Sequence, residues 1–329
     1  MHIPDNYLSP AICAVMTAVM VPVWAVSIHK IRQELPKEKL PMLGVGAAFS
    51  FLGMMFNIPI PGGTTGHAVG GTLISLLLGP YAACISVSVA LLLQALIFGD
   101  GGILAFGANC FNMAFVLPFV GYAVYQFIAK RVKSSRGKLV AAGIGSYVGI
   151  NASALAAAIE FGIQPALFRD SAGNALYCPY GLNVSIPAMM IGHLTVFGLA
   201  EVVYTVAVYA FVSRVSPVML HDREGSRTAP ALKGLIAALI VLTPLGLLAE
   251  GTAWGEWGTE EIAATGIGYT PAGMQNGFSW GALLPDYSVS GMPEAIGYVI
   301  SAAIGVALLI IIFKLLSLLG GGKAEGEAA

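Results

Sequence analysis

Three nitrogen-bearing groups in this chain have the types and spacing to hold a metal ion. They are the free amine of Met1, the His2 side chain beside it, and His67 in the glycine-rich stretch PIPGGTTGHAVGG (59–71). A histidine at the second position is a chelator before any folding. The Met1 amine and the His2 amide nitrogen close a five-membered ring on a cation, and that amide nitrogen with His2 Nδ1 closes a six-membered one. A fourth in-plane donor completes a square-planar nitrogen set, the geometry that favours Ni(II) or Cu(II) over tetrahedral Zn(II). His67 is the natural fourth donor. Its loop is rich in Gly and Thr, which let backbone approach backbone closely, and Pro59 and Pro61 stiffen it. The bulky second residue should also protect Met1 from aminopeptidase removal. A deprotonated amide, a neutral amine and two neutral imidazoles leave a divalent ion with a single net positive charge. Asp5 is expected to offset it, and Thr64 or Thr65 to orient an imidazole from behind. Every donor must shed or lack a proton, so affinity should fall on mild acidification.

Each of these features has a plainer use. A second-position histidine is usually an accident of a flexible terminus, a lone histidine at a helix start more often caps or packs, and glycine-rich membrane loops serve close packing. The metal reading rests on their conjunction on one face of a membrane. Other groups in the chain likewise admit both a functional and a plainer use. His193 and Glu201 stand eight residues apart in one apolar span, roughly on one helix face. A proton relay is one use for them, and an internal hydrogen-bonding role is the preferred one. Met54–Met55 and Met189–Met190 suit packing better than a copper path, because adjacent helix residues point in different directions. Glu256, Glu260 and Glu261 read as a solvated acidic loop able to attract cations weakly, with Trp254 and Trp257 as interfacial anchors. Cys13, Cys84, Cys110 and Cys178 have no metal-binding spacing and read as packing residues.

The elements that must position these groups are helices in a bilayer. Of 329 residues 57% are apolar and only 10% charged, against about a quarter charged in a soluble domain. Apolar runs of spanning length lie at 8–29, 40–56, 80–98, 105–129, 138–162, 185–213, 232–249 and 295–319, with a shorter one at 67–78 that ends at Gly79-Pro80. No basic segment or cleavage site marks a signal peptide, so the N-terminus is expected to be retained. With that terminus outside, every Lys and Arg except Arg169 falls on the cytoplasmic side, a positive-inside bias that fixes orientation and parity. The polar segment 221–234 separates seven spans from two. The chain therefore reads as an all-α polytopic membrane protein with an extracytoplasmic N-terminus. Residues 1–220 form a seven-helix module, 221–234 a cytoplasmic linker, and 235–319 a two-helix accessory module with an outer loop at 250–294. The tail 320–329 reads as disordered.

The opening MHIPDNYLS, the loop PGGTTGHAVGG and the stretch LTPLGLLAEGTAWGEWGTEE together resemble the nickel/cobalt substrate-binding (S) component of energy-coupling factor transporters, fused to its two-helix accessory subunit. The resemblance runs over nearly the whole chain. It implies metal ligation by Met1, His2 and His67, no cofactor, and Ni(II) as the transported ion, with Co(II) as the alternative. It also implies a location in the bacterial cell (inner) membrane and two kinds of partner: a transmembrane coupling (T) component and cytoplasmic ATPase subunits. The chain itself has no G-x-x-x-x-G-K-[ST] phosphate loop. The small-residue pairs Gly44–Ala48 and Gly46–Ser50 suit either docking on the coupling protein or packing within the bundle. Rival readings are a cobalt-specific component serving cobalamin synthesis, a stand-alone secondary permease or channel, and an intramembrane metallohydrolase. The last lacks an H-E-x-x-H motif.

Overall fold

The computed structural model describes residues 1–36, 39–60, 64–215 and 230–319. Its helices are α1 (Pro10–Glu34), α2 (Leu40–Met55), α3 (Gly71–Leu78), α4 (Pro80–Phe98), α5 (Phe106–Ala129), α6 (Ser135–Gly162), α7 (Leu182–Val215), α8 (Pro230–Leu248) and α9 (Glu294–Leu319). A hairpin of β1 (Ile58–Ile60) and β2 (Thr64–Gly66) links α2 to α3, with Ile58 opposite Gly66. Residues 221–229 of the expected linker and the tail 320–329 lie outside the described residues.

A helix stands at each expected crossing. Among the described residues seven are long and apolar enough to span a membrane, and α2 falls just short at 16 residues. The crossing expected over 67–78 is shorter than that. α3 has only 8 residues, about 12 Å of helix against roughly 30 Å of hydrocarbon. Its limits are set by Gly70 (φ 73°) and Gly79 (φ 90°), both in left-handed backbone that ends a helix, and Pro80 then starts α4. His67 consequently sits in the loop ahead of α3.

Large apolar side chains such as Val15 and Val21 on α1 and Ile191, Leu199 and Val203 on α7 point outward. On helices this long and apolar, that surface faces lipid. The chain is an all-α multi-pass membrane protein. Inside the bundle, small residues let backbones meet. On α6, a Cβ at Gly145 would stand 2.6 Å from the Gly121 carbonyl oxygen of α5.

The last two long helices lie on α2. α9 packs along it, and α8 touches α2, α7 and α9. A Cβ at Gly44 would approach Ile310 Cα and Leu309 O to 3.1 Å, while Gly46 faces Ile74 of α3 and Ser86 of α4. Both glycines of the small-residue rows on α2 therefore pack within this chain. Gly44→Leu should push α9 off α2 and destabilise the fold by about 1–3 kcal/mol, read as a lower Tm of the full chain in detergent. Gly234→Leu, where a Cβ meets nothing within 4 Å, should leave the Tm unchanged.

Candidate metal centre

Chain termini are ordinarily the least ordered part of a fold. Here the first residues are inside it: Met1 is 6% exposed, His2 2% and Ile3 0%. Nearly every residue of this arm is held. Asn109 grips the Ile3 backbone at two points, accepting from its N–H at 2.7 Å and donating to its carbonyl at 3.0 Å, while Gly102 N–H donates to the same carbonyl. Asn109 directly precedes the widened π-helical stretch Cys110–Val116 of α5, a feature often found at functional sites. Asp5 accepts from the amides of Ile103 (3.0 Å) and Leu104 (2.7 Å). Asn6, in the left-handed conformation that Asn tolerates, exchanges two hydrogen bonds with the Phe278 backbone. Tyr7 donates to Trp257 O. Ser9 N–H donates to Gln164, and the Ser9 hydroxyl caps α1 by accepting from Ile12 N–H.

This arm brings Met1, His2 and His67 together. The two imidazole centroids are 5.1 Å apart and tilted by 42°. The Met1 amine lies 3.3 Å from Glu256 Oε1. His2 Nδ1 lies 3.1 Å from Asp100 Oδ1, and the buried His2 Nε2 has no partner. His67 Nδ1 is 3.2 Å from the Ala68 carbonyl. A carbonyl only accepts, so Nδ1 carries the proton and Nε2 the lone pair. Burial, then the neighbouring Met1 amine and His2, hold His67 well below the usual imidazole range, so it is neutral at physiological pH. Among the described residues no group of three or more His, Cys, Asp or Glu side chains converges as a metal site.

The loop bearing His67 is fixed by Glu201. This fully buried carboxylate on α7 accepts from Val69 N–H at 2.8 Å and from Gly70 N–H at 3.0 Å. Two amides at the start of α3 that would otherwise be orphaned are thereby satisfied. His193 donates to the Met189 carbonyl one turn back, at 2.8 Å, and packs edge-on against Phe197. Both residues take the internal hydrogen-bonding role.

Other assignments change. Asp5 is committed to the 103–104 backbone, and the carboxylate beside His2 is Asp100. Thr64 accepts from Trp254 N–H rather than meeting an imidazole, while Thr65 Oγ1 is buried without a partner. Glu256 meets the Met1 amine instead of solvent alone. Trp254 and Trp257 are half-buried in an aromatic cluster with Tyr180 and Phe161. Cys178, although in a loop, is buried with the other three thiols. Asp100 was open to sequence reasoning, as an acid flanked by glycines in FGDGG (98–102) just past a span. Asn109 carried no such signal.

Above the histidines lies a cavity of about 400 Å³ between the two modules, with His2, His67, Asp100, Glu256, Asp286 and Glu294 among its lining. Tyr287 closes one side. It donates to Asp100 Oδ2 at 2.5 Å and accepts from Gln94 Nε2 at 2.8 Å. Incomplete solvation beside the cavity wall, then the Asp100 charge, raise the Asp286 carboxyl above its ordinary range even though its side chain reaches solvent.

A chain-end amine and two imidazoles buried at one end of a lipid-facing helical bundle suit the holding of a solute at a membrane, and the relatives of the chain are transport proteins. Residues 2–219 match the family described as the cobalt uptake substrate-specific transmembrane region, and residues 228–320 match the PDGLE domain. The chain belongs to the first family and carries the second domain behind it. It is 50% identical over 321 residues to the probable fused nickel transport protein LarMN of Lactiplantibacillus plantarum, covering 95% of this chain and 97% of that protein. It is 49% identical over 331 residues to the fused nickel transport protein NikMN of Rhodobacter capsulatus, covering 94% and 95%. A crystal structure described as a transition metal transporter matches with a TM-score of 0.61 and 55% identity, over 65% of this chain and 93% of that one.

Glu201→Ala should leave two buried N–H groups unsatisfied, at about 1–3 kcal/mol each. Hydrogen exchange at Val69 and Gly70 should accelerate and the Tm should fall. Glu201→Gln, which keeps one carbonyl oxygen, should restore most of both.

Proposed function

We propose that the chain captures Ni(II), with Co(II) as the alternative cargo, on the extracytoplasmic side of a bacterial cell membrane. It then delivers the ion inward as the substrate-specific component of an ATP-driven importer of the energy-coupling-factor type. Residues 1–220 hold the ion and 235–319 form the accessory module. A transmembrane coupling component and ATPase subunits supply the work of release, and the chain needs no cofactor of its own. The observation that carries this reading is the burial of the chain end, with the Met1 amine against Glu256 and the His2 ring 5.1 Å from that of His67, where the described residues offer no cluster of three or more side chains for a metal.

In the proposed site the Met1 amine, the His2 amide nitrogen, His2 Nδ1 and His67 surround the ion in a plane, a set that suits a d⁸ Ni(II) centre better than Co(II). Capture exchanges Glu256 for the ion at the amine and Asp100 for the ion at His2 Nδ1. Two protons leave, one from the ammonium and one from the amide, and the His2 ring proton passes from Nδ1 to the unpartnered Nε2 as Nδ1 turns to the ion. The single positive charge of the ammonium is replaced by the single net charge of the chelate, so the local charge balance is kept and acid opposes binding. The neutrality of His67 favours this reading, because no proton has to be removed from its ring.

The test is metal content and absorption spectrum of the full chain, followed by uptake in vesicles with the coupling and ATPase subunits. A yellow-orange, diamagnetic Ni(II) complex should form, be lost in both His2→Ala and His67→Ala, and support uptake only with ATP. Uptake driven by an ion gradient without ATPase partners would favour the permease instead, and nickel retained by both variants would remove the proposed ligands.

A further inference from the structure

The lining of the cavity between the modules runs from exposed carboxylates at its mouth to buried imidazoles at its floor. At the mouth are Asp286, in the loop that precedes α9, and Glu294, in the first turn of α9. Both side chains are exposed, and neither is taken up by a hydrogen bond or ion pair among the described residues. At the floor is His2, 2% exposed, with its Nε2 unpartnered. Between them stand Asp100 and Glu256, already engaged with His2 Nδ1 and the Met1 amine. Among the described residues no Lys or Arg lines the space.

We infer that the divalent cation reaches His2 and His67 through this inter-module cavity, steered by the Asp286 and Glu294 carboxylates of the accessory module. This rests on the proposed metal capture and adds a route and two residues to it. The size is right. A cation with six waters at about 30 Å³ each needs roughly 180 Å³, so a cavity of about 400 Å³ admits it with its hydration shell. The charge is right as well. A cleft lined by one sign of charge concentrates the opposite ion and raises its association rate. The carboxylates at the mouth do not converge closely enough to hold a metal themselves, so the ion is attracted without being trapped. Asp100 and Asp286 already repel one another, and an arriving cation relieves that repulsion.

Steering of this kind has a kinetic signature. A divalent charge crosses the mouth, whereas the net charge at the floor is the same before and after capture. Removing the two carboxylates should therefore slow entry and exit together and leave the affinity unchanged. The experiment is stopped-flow formation and chelator-driven loss of the Ni(II) absorption band, using the full-length chain and its Asp286→Asn, Glu294→Gln double variant. Asn accepts the left-handed backbone at position 286 (φ 51°), so the fold is preserved, and an unchanged final band and Kd confirm it. Both rate constants should fall by about 3- to 10-fold at low ionic strength, with the difference closing as salt is raised. An unchanged association rate would overturn the route, and so would a weaker Kd caused by faster dissociation, because the carboxylates would then be ligands. If the unaltered chain forms no nickel band at all, the failure lies with the proposed capture itself and this inference falls with it.

Discussion

A charged chain terminus buried inside a membrane protein is the constraint on which the rest of this structure depends. An ammonium group taken out of water is strongly destabilising unless it meets an opposite charge, and Glu256 provides that charge at 3.3 Å. A flexible arm would not stay in place on that contact alone. The two-point grip of Asn109 on Ile3, the Asp5 carboxylate on two loop amides and the Ser9 cap of α1 divide the entropy of ordering among many bonds. The seven-helix module can be understood as the scaffold that carries these anchors: α5 offers Asn109, the 99–105 loop offers its backbone, and the turn after α6 offers Gln164.

The same constraint explains why the accessory module touches the first residues of the chain so often. Its loop supplies Glu256 for the amine, the Trp257 carbonyl for Tyr7 and the Phe278 backbone for Asn6. Tyr287, also from this loop, shares the Asp100 carboxylate with His2. Asp100 thus joins a group at the candidate site to a group on the accessory side. His2 Nδ1 and the Tyr287 hydroxyl therefore compete for the charge of one carboxylate.

Much of the fold was legible in the sequence because membrane insertion writes it as long apolar runs and a one-sided distribution of Lys and Arg. The short α3 was harder. Its apolar stretch continues back past Gly70, and only the left-handed backbone there shows where the helix starts. The pairing of Met1, His2 and His67 on one face followed from counting crossings. The partners of those residues did not follow, since contacts such as Met1 with Glu256 or Ile3 with Asn109 join positions with no periodic relation. A polar residue inside an apolar span, as Asn109 is, looks like any other buried amide until the arm it grips is seen. Glu201 stood out as an intramembrane acid, but the two backbone amides that it serves belong to a loop whose course the sequence leaves open.

The most direct measurement is nickel binding by a chain whose first amine has been moved or blocked. One glycine added ahead of Met1, or acetylation of Met1, leaves every side chain in place and removes the amine from its chelate ring. The account predicts that the yellow-orange band disappears and that bound nickel falls far below one ion per chain. Full nickel occupancy with an unchanged spectrum in the extended or acetylated protein would contradict it.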